Sequence, residues 1–69
     1  MNDNQSALDK AIHMVQKGGN PNRLHIGGVW FEITTERTGG LLGLLSAPQL
    51  RIKAGGRVVS RDEAMDMLA

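Results

Sequence analysis

Two histidines, His13 and His25, are the first residues here that could do chemistry, and zinc would be the natural guest. A zinc site needs three or four converging ligands, and these two fall in segments of different periodicity with no cysteine in the chain to join them. Asp62, Glu63 and Asp66 could hold a hard cation, but they open a helical pattern, where a cap, a dipole partner and a solvated face account for them. Ser46 sits in a plausible loop, yet nucleophilic catalysis needs a base and an orienting acid beside it, and nothing local supplies either. Gly39-Gly40 runs into leucines, with no Lys or Ser/Thr at phosphate-loop spacing. No catalytic residue, metal or cofactor is therefore expected, and the chain reads as a binding protein, not an enzyme.

The bulk numbers narrow the setting. Sixty-nine residues make one small domain, 1–69, with residues 1–5 expected as a disordered tail. A chain of about 60 residues buries only about 60% of its unfolded surface, so stability is marginal without a staple. With no cysteine, tight packing or a homodimer must supply the remainder, and a reducing cytoplasm is the expected location. Met1 to Lys17 is polar and amphipathic, with no apolar core of a targeting signal, and Leu41 to Leu45 is far short of the roughly 20 residues of a membrane span. The net charge is +1. Asp3, Asp9, Lys10 and Lys17 cancel in the first segment. Arg23, Arg37, Arg51, Lys53 and Arg57 outweigh Glu32 and Glu36 in the middle, and Asp62, Glu63 and Asp66 outweigh Arg61 at the end.

Four Gly-Gly doublets, at 18–19, 27–28, 39–40 and 55–56, divide the chain into elements that would position these residues. Leu8, Ala11, Ile12 and Val15 form one helical stripe, predicting a helix over 7–17 with Ser6 as N-cap and Gly18 as the left-handed stop. Gly27-Gly28 suits a two-residue hairpin turn, pairing Ile26 with Val29, His25 with Trp30, Leu24 with Phe31 and Arg23 with Glu32. That register puts Leu24, Ile26, Val29, Phe31 and Ile33 on one face and Arg23, His25, Trp30, Glu32 and Thr34 on the other. A slip of one residue would destroy the sorting. After a long connection stopped by Pro48, Leu50 and Ile52 point inward and Arg51 and Lys53 outward. Gly55-Gly56 turns the chain into Arg57 to Val59, a short strand or an extended lead-in. Ser60 with Glu63 matches a capping box ahead of Ala64, Met65 and Leu68. The expected fold is two-layer α+β: a small antiparallel sheet of three to four strands with the N- and C-terminal helices on one face, in the order α-β-β-β-(β)-α.

Two surfaces then stand out. The open sheet face carries Trp30 among Arg23, His25, Arg51 and Lys53. It can be a solvated face, a protein-docking surface, or a platform that stacks bases and holds phosphates, with Arg57 as a further cation. The leucines Leu41, Leu42, Leu44 and Leu45 either close the core of a chain short of aromatic mass or present apolar anchors to a partner. The order and length resemble those of a double-stranded-RNA-binding domain. That resemblance implies phosphate contacts from lysines at the start of the final helix. Here the matching residues are Ser60-Arg61-Asp62-Glu63-Ala64, mostly acidic, which would repel phosphate.

The expectation is a small non-catalytic regulator or inhibitor that binds a protein partner. Its partner-binding residues would be Leu41, Leu42, Leu44, Leu45, Trp30, Arg51 and Lys53. Chains of this size and kind suggest a phage or mobile-element protein blocking a host machine such as a defence nuclease or a transcription factor. The alternative is a nucleic-acid-binding module using Arg23, His25, Trp30, Arg51, Lys53 and Arg57. The two readings part on salt dependence, which is steep for phosphate contacts.

Overall fold

The computed structural model describes residues 1–36 and 49–69. The elements are α1 (Asp3–Gly18), β1 (Asn22–Ile26), β2 (Val29–Glu36), β3 (Gln49–Ala54), β4 (Arg57–Val59) and α2 (Arg61–Met67). The four strands form one antiparallel sheet in the order β1-β2-β3-β4, with both helices packed on the same side, α1 against β1 and β2 and α2 against β3. The predicted fold class is the observed one, and Arg57–Val59 is a paired strand. The leucine segment 41–45, Gly39-Gly40 and Ser46 lie outside the described residues.

The hairpin register is the one the side-chain chemistry demands, from Ile26↔Val29 through Leu24↔Phe31 to Arg23↔Glu32. Gly27 and Gly28 have φ of 60° and 75°, and Gly55 and Gly56 have 58° and 84°. Positive φ at both central residues is the signature of the turn whose twist matches its flanking strands, and glycine adopts it without a Cβ penalty. Phe31 and Ile33 from β2, with Ile52 and Ala54 from β3, meet Leu8, Ala11, Ile12 and Val15 from α1 and Ala64 and Leu68 from the C-terminal end. Val59 completes this core, while Leu24, Ile26, Val29, Leu50 and Met65 pack at its margins only half-buried.

The helix ends depart from the sequence expectation in three places. α1 begins at Asp3, so residues 3–5 are its first turn instead of tail, and Ser6 lies inside it. The N-cap is Asn2. Its side-chain oxygen accepts from the Gln5 N–H at 2.7 Å, and the Gln5 side chain accepts from the Asn2 N–H at 2.9 Å. A polar cap needs no apolar stripe behind it, which is why the Leu8 periodicity marked the start too late. At the other end the left-handed stop is Gly19, with φ of 76°, and its N–H donates to the Val15 carbonyl at 2.7 Å; Gly18 is the last helical residue. At α2 the Ser60 hydroxyl accepts from the Glu63 N–H at 3.0 Å, but the Glu63 carboxylate turns to the Arg57 guanidinium at 2.9 Å instead of closing a capping box. A charged donor outcompetes a neutral backbone amide for that carboxylate.

The α1 cap also reaches the other end of the chain. Asn2 Nδ2 donates to the Leu68 carbonyl at 2.6 Å and Gln5 Nε2 to the Met65 carbonyl at 3.1 Å. These are carbonyls at the close of α2: that of Leu68 has no helical turn beyond it to supply a donor, and that of Met65 also accepts from the Leu68 N–H at 3.1 Å. One side chain therefore caps one helix and satisfies the end of another. Asn2→Ala should cost about 1–2 kcal/mol, at the upper end for an N-cap. For a domain of this size that lowers Tm by about 4–8 °C per kcal/mol. A thermal melt followed by circular dichroism checks it, with Ser60→Ala, which loses a single cap bond, expected to shift Tm less.

Candidate functional site

The sheet face opposite the helices is uncovered among the described residues, and the strand registers lay out what it presents. One row runs Arg23, Glu32, Lys53 and Val58 across all four strands. The row toward the first hairpin turn holds His25 and Trp30, and the row on the other side holds Thr34 and Arg51. The sheet thus brings together Arg23, His25, Trp30, Arg51 and Lys53, the residues expected on it.

Their electrostatics are more balanced than the residue names suggest. Arg23 Nε lies 3.6 Å from a Glu32 carboxylate oxygen, and an Arg51 guanidinium nitrogen lies 2.9 Å from Glu36. Glu32 stands between Arg23 and Lys53 in register, so the acidic residues of β2 interleave with the cations of β1 and β3. Lys53 forms no ion pair among the described residues. Exposed pairs of this kind are worth about 0–1 kcal/mol each, so a partner can exchange them at little cost.

The apolar content of the face is concentrated. Trp30 is 60% exposed, with its ring stacked on His25 at a centroid distance of 4.8 Å and an interplanar angle of 21°. The imidazole holds the indole against the sheet surface and removes side-chain freedom that binding would otherwise have to freeze. Val58 is 58% exposed on the same face, directly across from Lys53. Beside Trp30 lies a depression of about 110 Å³ lined by Arg23, Trp30, Phe31, Glu32, Lys53 and Gly56.

Arg57 does not join this face. It pairs with Ala54, whose side chain points into the core, so Arg57 sits on the helix side at the sheet edge and binds Glu63. Its placement with the other cations is corrected by the two-residue turn, which puts Val58, one residue on, outward instead. Val58 is the site residue that the sequence reading missed. The signal was present: closing the strands around Gly55-Gly56 pairs Lys53 with Val58, and paired residues share a face. His13 is also elsewhere, on the outer side of α1, with Nδ1 2.8 Å from the Asp9 carbonyl oxygen and 3.4 Å from its carboxylate. Asp9 in turn receives the Arg61 guanidinium, tying α1 to the start of α2.

Among the described residues no three of His, Asp and Glu converge as metal ligands would. A wider cleft of about 380 Å³ lies where α1 meets the lead into β1, lined by Met14, Val15, Gly18, Asn20, Pro21 and Asn22, with no titratable side chain. No helix among the described residues is long and apolar enough to cross a membrane. No protein-family model, curated protein or solved structure matches this chain.

Proposed function

We propose that this chain is a non-catalytic regulator that docks a protein partner on its open sheet face. The observation that carries the reading is that two exposed apolar side chains, Trp30 and Val58, share a face with two arginines, Arg23 and Arg51, that already have carboxylate partners. Apolar anchors ringed by exchangeable ion pairs suit a protein surface, where an aromatic anchor gives affinity and the polar rim gives register. Phosphate backbones favour unneutralised cations, and here Arg23 and Arg51 are matched and Arg57 faces the other way. The small size and the absence of cysteine fit a regulator that acts in a reducing cytoplasm by occupying a partner's surface.

The test is capture from nuclease-treated lysate with the wild-type chain, Trp30→Ala and Val58→Asp as baits. Both side chains are exposed, so each variant should retain the wild-type circular dichroism spectrum and a stability within about 0.5 kcal/mol. A partner held by this face should bind each variant about tenfold or more weaker, as truncating an anchor does. Equal capture by all three baits would remove the face from the interaction. A titration of single- and double-stranded nucleic acid at low salt decides against the alternative. Trp30 fluorescence should stay flat, and quenching reversed by salt would replace protein docking with base stacking on the His25–Trp30 pair.

A further inference from the structure

In an antiparallel pair, residues alternate between those whose backbone groups bond the neighbouring strand and those whose groups point away from it. The Gly27-Gly28 turn makes Ile26 and Val29 a bonded pair, so Leu24 and Phe31 are the next. The N–H and C=O of Arg23 and His25 therefore point outward from the sheet. The far side of β2 has the matching phase: the Trp30 carbonyl, opposite His25, faces β3 and accepts from the Gly55 N–H at 2.9 Å.

β1 is an edge strand, and no described strand lies beyond it. Proteins blunt such edges with short strands, bulges, lysines or a covering element. β4, at the other edge, is three residues long. β1 has five residues, an unbroken register and no lysine. Its inward side chains Leu24 and Ile26 are only half-buried, whereas Phe31 and Ile33 in the adjacent strand are closed off. Among the described residues, neither the hydrogen-bonding edge nor the apolar margin beneath it meets a partner.

We propose that the occupant is a second copy of this chain, with β1 pairing antiparallel to β1 about a twofold axis at Leu24, joining two four-stranded sheets into one. Three features select that register. It aligns all of Asn22–Ile26 with the same stretch of the second copy, because Leu24 is the central residue of β1. It sets the outward groups of Arg23 against those of His25 of the second copy, twice by symmetry, closing both unpaired donor-acceptor sets. It also places Leu24 beside Leu24 on the helix side, where each is half-exposed in the single chain. A twofold axis at Arg23 would face two guanidinium side chains and bring Pro21, which has no N–H, opposite His25. An axis at His25 would run Arg23 into the Gly27 turn. The contact is isologous and self-limiting, since each chain offers one such edge.

The proposal is independent of the protein-docking reading, which fails on Trp30 and Val58 in a mixture; this one is decided on purified protein alone. Sedimentation equilibrium on the purified chain, up to millimolar concentration, should give a mass rising toward twice the monomer. Amide exchange by NMR over the same range should slow by about tenfold or more at Arg23 and His25, whose amides are open in the single chain. Leu24 and Ile26, already bonded to β2, should change little. His25→Pro removes an outward N–H without touching the bonds to β2, a position where edge strands accept proline, and should remain monomeric throughout. A monomer at every concentration, or a dimer whose Arg23 and His25 amides exchange as fast as in dilute protein, overturns the proposal. The wild-type exchange data decide the matter even if His25→Pro fails to fold.

Discussion

Phe31→Ala should leave a large part of the chain unfolded at 25 °C. Phe31 is the only phenylalanine in the sequence and is 1% exposed at the centre of the sheet's inner face. It packs in one cluster with Leu8, Ile12 and Val15 of α1 and Ala64 and Leu68 of the C-terminal end, so both helices lean on it. Removing a buried aromatic ring costs about 3–5 kcal/mol. Typical stabilities of about 0.05–0.15 kcal/mol per residue give a domain of this length only about 3–10 kcal/mol in all. The loss is therefore about a third of the whole at the least and all of it at the most. A urea titration followed by far-ultraviolet circular dichroism should show a midpoint reduced by about a third or more, or no cooperative transition. Trp30 is a poor reporter, because at 60% exposure its emission changes little on unfolding. Phe31→Leu, which keeps most of the volume, should cost clearly less. Equal stability of the alanine variant and the wild type would mean that the helices do not pack on this face.

Gly27→Ala is also expected to be strongly destabilising, and it separates two glycines that look identical in sequence. Gly27 and Gly28 both have positive φ, so any Cβ there carries a left-handed penalty of about 1–2 kcal/mol. At Gly28 the added methyl would meet open space. At Gly27 it would lie 2.6 Å from Leu68 Cδ2, inside the contact distance of two carbon atoms. Leu68 is 5% exposed and packed in the core cluster, so its side chain can yield only by displacing neighbours. Overpacking of this kind adds about 1–3 kcal/mol. Gly27→Ala should therefore cost about 2–5 kcal/mol and Gly28→Ala about 1–2 kcal/mol, both read from urea midpoints. The same substitution in a Leu68→Ala background isolates the contact: the gap between the two glycines should close there. If the gap persists, the C-terminal end does not lie under the first hairpin turn.

Much of this fold was legible because it rests on local rules. The hairpin register followed from side-chain chemistry alone: only one alignment of residues 23–26 with 29–32 puts Leu24 and Phe31 on one face while setting Arg23 beside Glu32. The helical stripe from Leu8 to Val15 and the Ser60 cap were equally readable, since each depends on residues within two turns of one another. The errors share a different cause. The start of α1 was misread because Asn2 and Gln5 form a polar cap whose partners include Met65 and Leu68, sixty or more positions away. Glu63 was misassigned because Arg57 competes for it from the preceding strand. Arg57 itself was grouped with the sheet-face cations because its side depends on how tightly the chain turns at Gly55-Gly56.

For the candidate site the same division holds. The residue types on the open face were set by alternation along each strand, which any chain with this pattern must obey once one face is buried. Whether those cations are free to hold phosphate was not a local property. It depended on Glu32 and Glu36 of β2 lying beside the cations of β1 and β3, and on Val58 of β4 completing a row that begins at Arg23. The sequence by itself determined the elements, their inward residues and the pairing of the first hairpin, because helix and strand periods and glycine turns act over a few residues. Only the tertiary structure decided that Arg51 meets Glu36 and Arg57 meets Glu63, which side chains seal the two chain ends together and which apolar groups remain in water. Those outcomes depend on distances between strands and helices that the pattern of any one segment does not contain.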